Sequence, residues 1–220
     1  MLDALLFDLD GTLTDTDHLH LVAIQQLLME EDNRPFSEQE FMAKCSGRAN
    51  AQLCELLFPE RSVEEHRAFA DRKEARFRAL STRLEPIPGL LRLLAWSDER
   101  RIGRAVVTNA PRANADHMLA AMGLAERFAH VVVAEDLARA KPDPLPYQTG
   151  LLKLNATADQ GMAFEDSIPG LAAAKGAGLY TVGLATSQSA ECLLGAGADL
   201  AIETFDDPRL WAELERRVQA

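Results

Sequence analysis

Residues 4–14, Ala-Leu-Leu-Phe-Asp-Leu-Asp-Gly-Thr-Leu-Thr, constrain this chain more than any other stretch. A short apolar run, Ala4 to Phe7, meets two carboxylates one residue apart, Asp8 and Asp10, and then Gly11. An unbroken apolar run this short is the pattern of a strand buried on both faces, ending where the charges begin. The acids are then expected at the carboxyl edge of a sheet, where open α/β folds place their ligands. Side chains two apart on a strand share a face, and a turn at Gly11 lets Asp10 swing away. Clustered carboxylates repel each other unless a cation or a shared proton relieves them. A hard, oxygen-seeking ion such as Mg²⁺ is the simplest relief.

After Asp15 the pattern turns helical and stays so to about Arg83. Leu21, Ile24, Leu27 and Leu28 give a helical stripe. Ser37 with Glu40, and Ser62 with Glu65, have the spacing of capping boxes, the second opening a charged helix that runs towards Arg83. Glu85-Pro86-Ile87-Pro88-Gly89 then forms a stiff linker. This predicts a helical insertion over 14–86, set into a core made of 1–13 and 87–220. In the second core segment, strands are expected at Arg101 to Val107, His130 to Ala134, Gly161 to Phe164, Leu179 to Leu184 and Asp199 to Glu203. Helices are expected at Leu90 to Trp96, Pro111 to Met122, Pro144 to Leu154, Ile168 to Ala177 and Pro208 to Val218. Such alternation implies an α/β fold, a doubly wound, Rossmann-like parallel sheet with right-handed crossovers.

With 220 residues the chain can bury a substantial core, and its 47% hydrophobic and 26% charged content is that of an ordinary globular protein. A net charge of −11 argues against nucleic acid or an anionic membrane as partner. It leaves room for a small anionic substrate met by a few local cations. No apolar run approaches the roughly 18–20 residues that span a bilayer. Three cysteines, Cys45, Cys54 and Cys192, lack metal-ligand spacing and cannot all pair, which fits reduced thiols in a cytoplasmic protein. A monomer or small homo-oligomer is expected.

Three further polar clusters follow expected strands and fall on the same sheet edge as Asp8. Thr108-Asn109 precedes Pro111, where a hydroxyl and free amides make either a phosphate seat or a plain N-cap by Asn109. Lys141-Pro142-Asp143-Pro144 holds an ammonium in a restricted loop, with Asp143 and Pro144 placed to start a helix. Glu165-Asp166-Ser167 brings two acids to a strand end, with Ser167 as N-cap of the next helix. Gly170 and the alanines at 172–174 suit a helix packed closely on the sheet.

Asp8-Leu9-Asp10-Gly11-Thr12 closely resembles the Asp-x-Asp-Gly-Thr signature of the haloacid dehalogenase-like superfamily, and the other three clusters follow in the family's order. The resemblance covers Asp8 to Gly170. It implies that Asp8 is a nucleophile that takes up a phosphoryl group. Asp10 is then a general acid/base that also offers its backbone carbonyl to Mg²⁺. Thr108 binds phosphoryl oxygens, with Asn109 beside it, and Lys141 neutralises nucleophile and phosphate together. Asp166 completes the metal site, with Glu165 bound directly or through water, since Mg²⁺ keeps several waters. An acid at Asp10 favours phosphate-ester chemistry, because haloacid dehalogenases proper and phosphonate-cleaving relatives lack one there.

The helical insertion resembles the cap of the β-phosphoglucomutase, sugar-phosphatase and phosphoglycolate-phosphatase branch. That resemblance places His20, Arg48 (within Ser46-Gly47-Arg48) and Lys73 at the substrate, where the cap excludes water and reads the leaving group. Two bland alternatives stand beside it: His20 as a structural residue on a helix face, and Lys73 on a solvated face. The implied activity is Mg²⁺-dependent hydrolysis of a small phosphorylated metabolite, a sugar phosphate or phosphoglycolate-like acid, through an aspartyl-phosphate. The alternative is a β-phosphoglucomutase-type phosphosugar mutase, and a third is a binding domain that turns over nothing. Thr108-Asn109-Ala110 departs from the Ser-Ala-Ser-like second motif of the mutases, which favours the phosphatase.

Overall fold

The computed structural model describes residues 1–45 and 48–219. These form a six-stranded, wholly parallel sheet in the order β3-β2-β1-β4-β5-β6. The strands are β1 (Ala4–Phe7), β2 (Gly103–Thr108), β3 (His130–Val133), β4 (Gly161–Glu165), β5 (Tyr180–Leu184) and β6 (Leu200–Ile202). The expected doubly wound architecture is present. Chain order reverses between β1 and β4, and this switch point is where such sheets leave a crevice at their carboxyl ends.

β1 is buried along its whole length, as its unbroken apolar run requires. Leu5 and Phe7 join a large apolar cluster on one face of the sheet, in which the Phe7 ring stacks on Phe164 at 4.8 Å. Ala4 and Leu6 join the cluster on the other face, with Val107, Tyr147 and Leu151. Helices α5 (Leu90–Arg100), α6 (Arg112–Ala121), α7 (Leu145–Lys153), α8 (Ile168–Gly176), α9 (Ala190–Gly195) and α10 (Pro208–Gln219) connect and cover the strands. Among the described residues, four further helices precede α5 in the chain.

Those four helices, α1 (Asp17–Asp32), α2 (Glu38–Lys44), α3 (Asn50–Leu57) and α4 (Val63–Leu80), lie between β1 and the Pro/Gly linker. Ile24, Leu28, Phe41, Leu53 and Phe69 pack into an apolar cluster of their own. Both expected capping boxes close: Ser37 and Ser62 accept from the Glu40 and Glu65 amides, and each glutamate reaches back. The two connections to the core cross side by side, with Thr14 Oγ1 donating to the Glu85 carbonyl and the Ile87 amide to the Leu13 carbonyl.

Local differences from expectation have local causes. β2 starts at Gly103 rather than Arg101, because α5 runs on to Arg100 and Arg101 takes the left-handed φ of 57° that ends it. α3 and α9 were not singled out by the sequence pattern; at eight and six residues they are too short to show a clear period. Among the described residues, no helix is long and apolar enough to cross a membrane.

Candidate active site

Asp8 follows β1 directly, and its amide donates to the Phe164 carbonyl of β4 at 2.9 Å, so the residue is fixed by the sheet itself. Gly11 then turns the chain with φ 75°. A Cβ there would overlap the Asp166 carboxylate, so the position excludes side chains on two counts. The turn sends Asp10 away from Asp8 and towards the helical insertion. Its Oδ1 accepts from Thr16 Oγ1 at 2.8 Å and lies 3.1 Å from His20 Nε2. His20 stacks face to face on Phe77 of α4, with centroids 3.9 Å apart, which holds the ring edge-on to Asp10. Its buried Nδ1 has no hydrogen-bond partner among the described residues. His20 thus packs on a helix face, as the structural reading expects, and its ring also meets Asp10.

Lys141 is buried and bridges two carboxylates, its Nζ lying 2.5 Å from both Asp8 Oδ1 and Glu165 Oε1. Burial alone would discharge this ammonium, but the two carboxylates outweigh it and raise its pKa above the usual lysine range. Asn109 brackets the Lys141 backbone, accepting from its amide at 3.1 Å and donating to its carbonyl at 3.4 Å. Asn109 thus does not cap α6, whose N-cap is Pro111. Thr108 Oγ1, buried at the end of β2, accepts from the Ala110 amide at 3.0 Å.

Asp8, Glu165 and Asp166 are all buried, and one oxygen of each falls within a cluster no wider than 4.8 Å. Burial raises the carboxyls of Asp8 and Asp166 well above the usual range, helped by repulsion from Glu165 at both and from Asp8 at Asp166, and opposed at Asp8 by Lys141. Hard oxygen donors this close and this deeply buried fit a divalent cation such as Mg²⁺. Asp166 is steadied by Thr12 Oγ1 at 3.4 Å and by the Ser187 hydroxyl, and Thr186 Oγ1 donates to the Gly11 carbonyl. Glu165 Oε1 accepts from Lys141 and, at 2.8 Å, from the Tyr147 hydroxyl. Its Oε2 accepts from the Ser167 amide and hydroxyl. Ser167 also caps α8 as expected. Gly170 has a second role beyond close packing, since a Cβ there would overlap the Glu165 carboxylate.

One pocket between sheet edge and insertion is lined from the core by Asp8, Asp10, Thr108, Asn109, Lys141 and Asp166, and from the insertion by His20, Arg48 and Lys73. Glu165 lies beneath it, fully buried. Arg48 is exposed and donates to the Ala43 carbonyl; Ser46 and Gly47, which precede it in the expected substrate loop, lie outside the described residues. Lys73 departs from the solvated-face alternative. It is buried and donates to Glu74 Oε1 at 2.6 Å and Asn50 Oδ1 at 3.1 Å. The solvated face of α4 belongs instead to Arg72 and Arg76, which pair with Glu31 and Glu30.

Sequence reasoning missed Asn50, Glu74, Asn114, Tyr147 and Ser187. Glu74 adjoins Lys73, and Tyr147 lies one turn into the helix after the Lys141 loop, so each had a faint positional signal. Ser187 follows β5, whose carboxyl end shares the site's edge.

The chain matches the family model described as haloacid dehalogenase-like hydrolase over residues 5–184. The chain belongs to that family. It is 31% identical over 218 residues to validoxylamine A 7'-phosphate phosphatase of Streptomyces hygroscopicus subsp. limoneus, covering 93% of this chain and 94% of that one. It is 32% identical over 213 residues to phosphoglycolate phosphatase of Rhodospirillum rubrum, covering 93% and 87%. Among solved structures, a CbbY variant from Rhodobacter sphaeroides in complex with xylulose-(1,5)bisphosphate superposes with a TM-score of 0.85 at 26% identity. That match covers 94% of this chain and 96% of the other. In this haloacid dehalogenase-like hydrolase, Asp8, Glu165 and Asp166 cluster at one sheet edge with Lys141 between two of them.

Proposed function

We propose that this hydrolase is a Mg²⁺-dependent phosphatase of small phosphorylated metabolites that works through a phosphoryl group carried on Asp8. The observation that carries the reading is the Asp8 carboxylate, fixed on β1 and held 2.5 Å from the Lys141 ammonium, with Asp10 turned to the opposite, insertion side. Nucleophile and acid/base are thereby separated across the pocket, as an in-line displacement needs. Phosphatases among the chain's relatives support the same assignment.

Mg²⁺ held by Asp8, the Asp10 carbonyl and Asp166 would supply positive charge that offsets repulsion between the Asp8 carboxylate and a phosphate dianion. Lys141 does the same from the other side, and Glu165, engaged by Lys141, Tyr147 and Ser167, keeps that ammonium in place. Asp8 attacks phosphorus, forming an acyl phosphate and splitting one hard hydrolysis into two easier steps. Asp10 gives its proton to the departing alkoxide and then takes one from the water that attacks the acyl phosphate. Thr16 and His20 hold the Asp10 carboxyl for both transfers. Thr108 and the amides after it receive the equatorial oxygens. The helices over 14–86 act as a cap that excludes bulk water and contacts the leaving group.

Phosphate release from a panel of esters, with and without Mg²⁺ and with sugar products followed in parallel, tests this. Mg²⁺-dependent release is expected. Conversion of β-glucose 1-phosphate to glucose 6-phosphate with little free phosphate would instead make the enzyme a mutase.

A further inference from the structure

The cap side of the pocket carries a buried polar cluster that the phosphoryl chemistry does not use. Glu74 Oε1 accepts from Lys73 Nζ at 2.6 Å and from Asn50 Nδ2 at 2.7 Å. Glu74 Oε2 accepts from Asn114 Nδ2 of α6 at 2.5 Å, and Asn114 Oδ1 in turn accepts from Arg78 at 2.6 Å. Burial works against charge on Glu74, but Lys73 and then His20 outweigh it and hold the carboxyl down at about 2. Lys73 and Glu74 are therefore a matched ion pair, and the lysine brings no net charge to the wall. Over the cap side as a whole, Arg48 and Lys73 are balanced by Asp17 and Glu74.

The hydrogen-bonding capacity of this wall can be counted. Of the bonds available to each group, one Lys73 N–H, one Asn50 N–H, one Asn50 carbonyl lone pair and one Glu74 Oε2 lone pair remain after the internal bonds above, and Asn114 keeps one N–H and one carbonyl lone pair. Donors and acceptors are thus mixed. A hydroxyl, which both donates and accepts, satisfies such a set. A carboxylate or a second phosphate offers acceptors only and would face the Glu74 oxygen at close range. Beside the cluster the wall is apolar, with Ile24, Phe41 and Leu53. Cys45 belongs to that apolar part, because burial pushes its thiol up to about 12 and keeps it neutral. Apolar surface next to mixed donors and acceptors complements a ring or chain that carries hydroxyls on a hydrocarbon frame.

We propose that Glu74 is a specificity-determining residue that converts the Lys73 wall into a reader of hydroxyl groups. The leaving group it selects is uncharged and polyhydroxylated, rather than one ending in a carboxylate or a second phosphate. This rests on the phosphatase reading and narrows it.

Sorbitol 6-phosphate and 6-phosphogluconate test it, being open chains of equal length that differ in a terminal hydroxymethyl or carboxylate. The wild-type enzyme is expected to favour sorbitol 6-phosphate in kcat/KM by about tenfold or more. Glu74→Gln leaves Lys73 unbalanced, and the ratio should fall by about tenfold, chiefly through KM for the anionic ester. Lys73→Met combined with Glu74→Gln restores neutrality and should restore a preference for sorbitol 6-phosphate over the Glu74→Gln value. Circular dichroism and melting curves establish that each variant is folded. Should Glu74→Gln fail to fold, the wild-type ratio and the double variant still decide. A wild-type preference for 6-phosphogluconate, or a ratio unmoved in a folded Glu74→Gln enzyme, overturns the assignment of Glu74 and leaves the phosphatase standing. Absence of phosphate release from any ester overturns the phosphatase reading itself.

Discussion

Lys141 shares one ammonium between Asp8 and Glu165, so the charge of Asp8 is met by a residue 133 positions away in sequence. Replacing Asp8 by Asn removes a buried carboxylate that repels Asp166 while leaving Lys141 paired to Glu165. Turnover is expected to fall by about 10⁴-fold or more with the fold retained, as judged by phosphate release and circular dichroism. Full Mg²⁺-dependent activity in that variant would rule out Asp8 as nucleophile. Tyr147 acts one step further back. Its hydroxyl donates to Glu165 Oε1, and its ring lies 5.0 Å from Lys141 Nζ. Tyr147→Phe keeps the ring and deletes a hydrogen bond to a charged acceptor, a loss of about 1.5–3 kcal/mol in stability. Thermal melting reads that loss, and kcat should fall with it because Glu165 holds Lys141 less firmly. The polar residues of this sheet edge were legible because each lies at or beyond the carboxyl end of a strand: Asp8, Thr108, Lys141 and Asp166 need only a parallel sheet to meet. Tyr147 was not, because a tyrosine inside a helix is ordinarily core, and only the packing of α7 across β1, β2 and β3 brings its hydroxyl to Glu165.

At the scale of elements, what was legible follows from period and caps. β1 announces itself by an apolar run that ends in acids, and α4 by Ser62 and Glu65 three residues apart. The contact between α4 and α6 left no such trace, since it depends on how the insertion lies over the core. There Glu74, in the middle of a charged helix, is buried against Asn114. The pH dependence of stability reports on this contact. Glu74 is held at about 2 in the folded protein, against about 4.3 for an unfolded glutamate. A depressed carboxyl stabilises the fold above its unfolded value, and that contribution is lost as pH falls towards the folded value. Wild-type stability should therefore drop between about pH 4.3 and 2 more steeply than that of Glu74→Gln. Denaturant unfolding across that range measures the difference, and parallel curves for the two proteins would place Glu74 outside any charged pair in solution.

For the whole molecule, the opposite sign applies at the switch point, and the two windows can be separated by a cation. Asp8 and Asp166 have carboxyls raised above the usual range by burial first, then by repulsion from Glu165 and, at Asp166, from Asp8 as well; Lys141 offsets only part of this at Asp8. A carboxyl whose folded pKa is raised binds its proton more tightly in the native state. Its favourable contribution is complete below the unfolded value of about 3.9 and is lost as pH rises through the folded value. In metal-free protein these acids therefore work against the fold as they ionise. A divalent cation that binds the ionised cluster removes that penalty, and it competes with protons for the same oxygens. The rise in Tm on adding Mg²⁺ should accordingly grow as pH increases from acid towards neutrality, and binding should release protons into the buffer. Melting curves at a series of pH values with chelator or Mg²⁺, and calorimetry in buffers of different ionisation enthalpy, measure the two quantities. Asp166→Asn, which takes one carboxylate out of the cluster, should raise the Tm of the metal-free protein near neutral pH and shrink the Mg²⁺-induced increase. An Mg²⁺ effect independent of pH and unchanged in that variant would mean that the cation binds elsewhere on the chain.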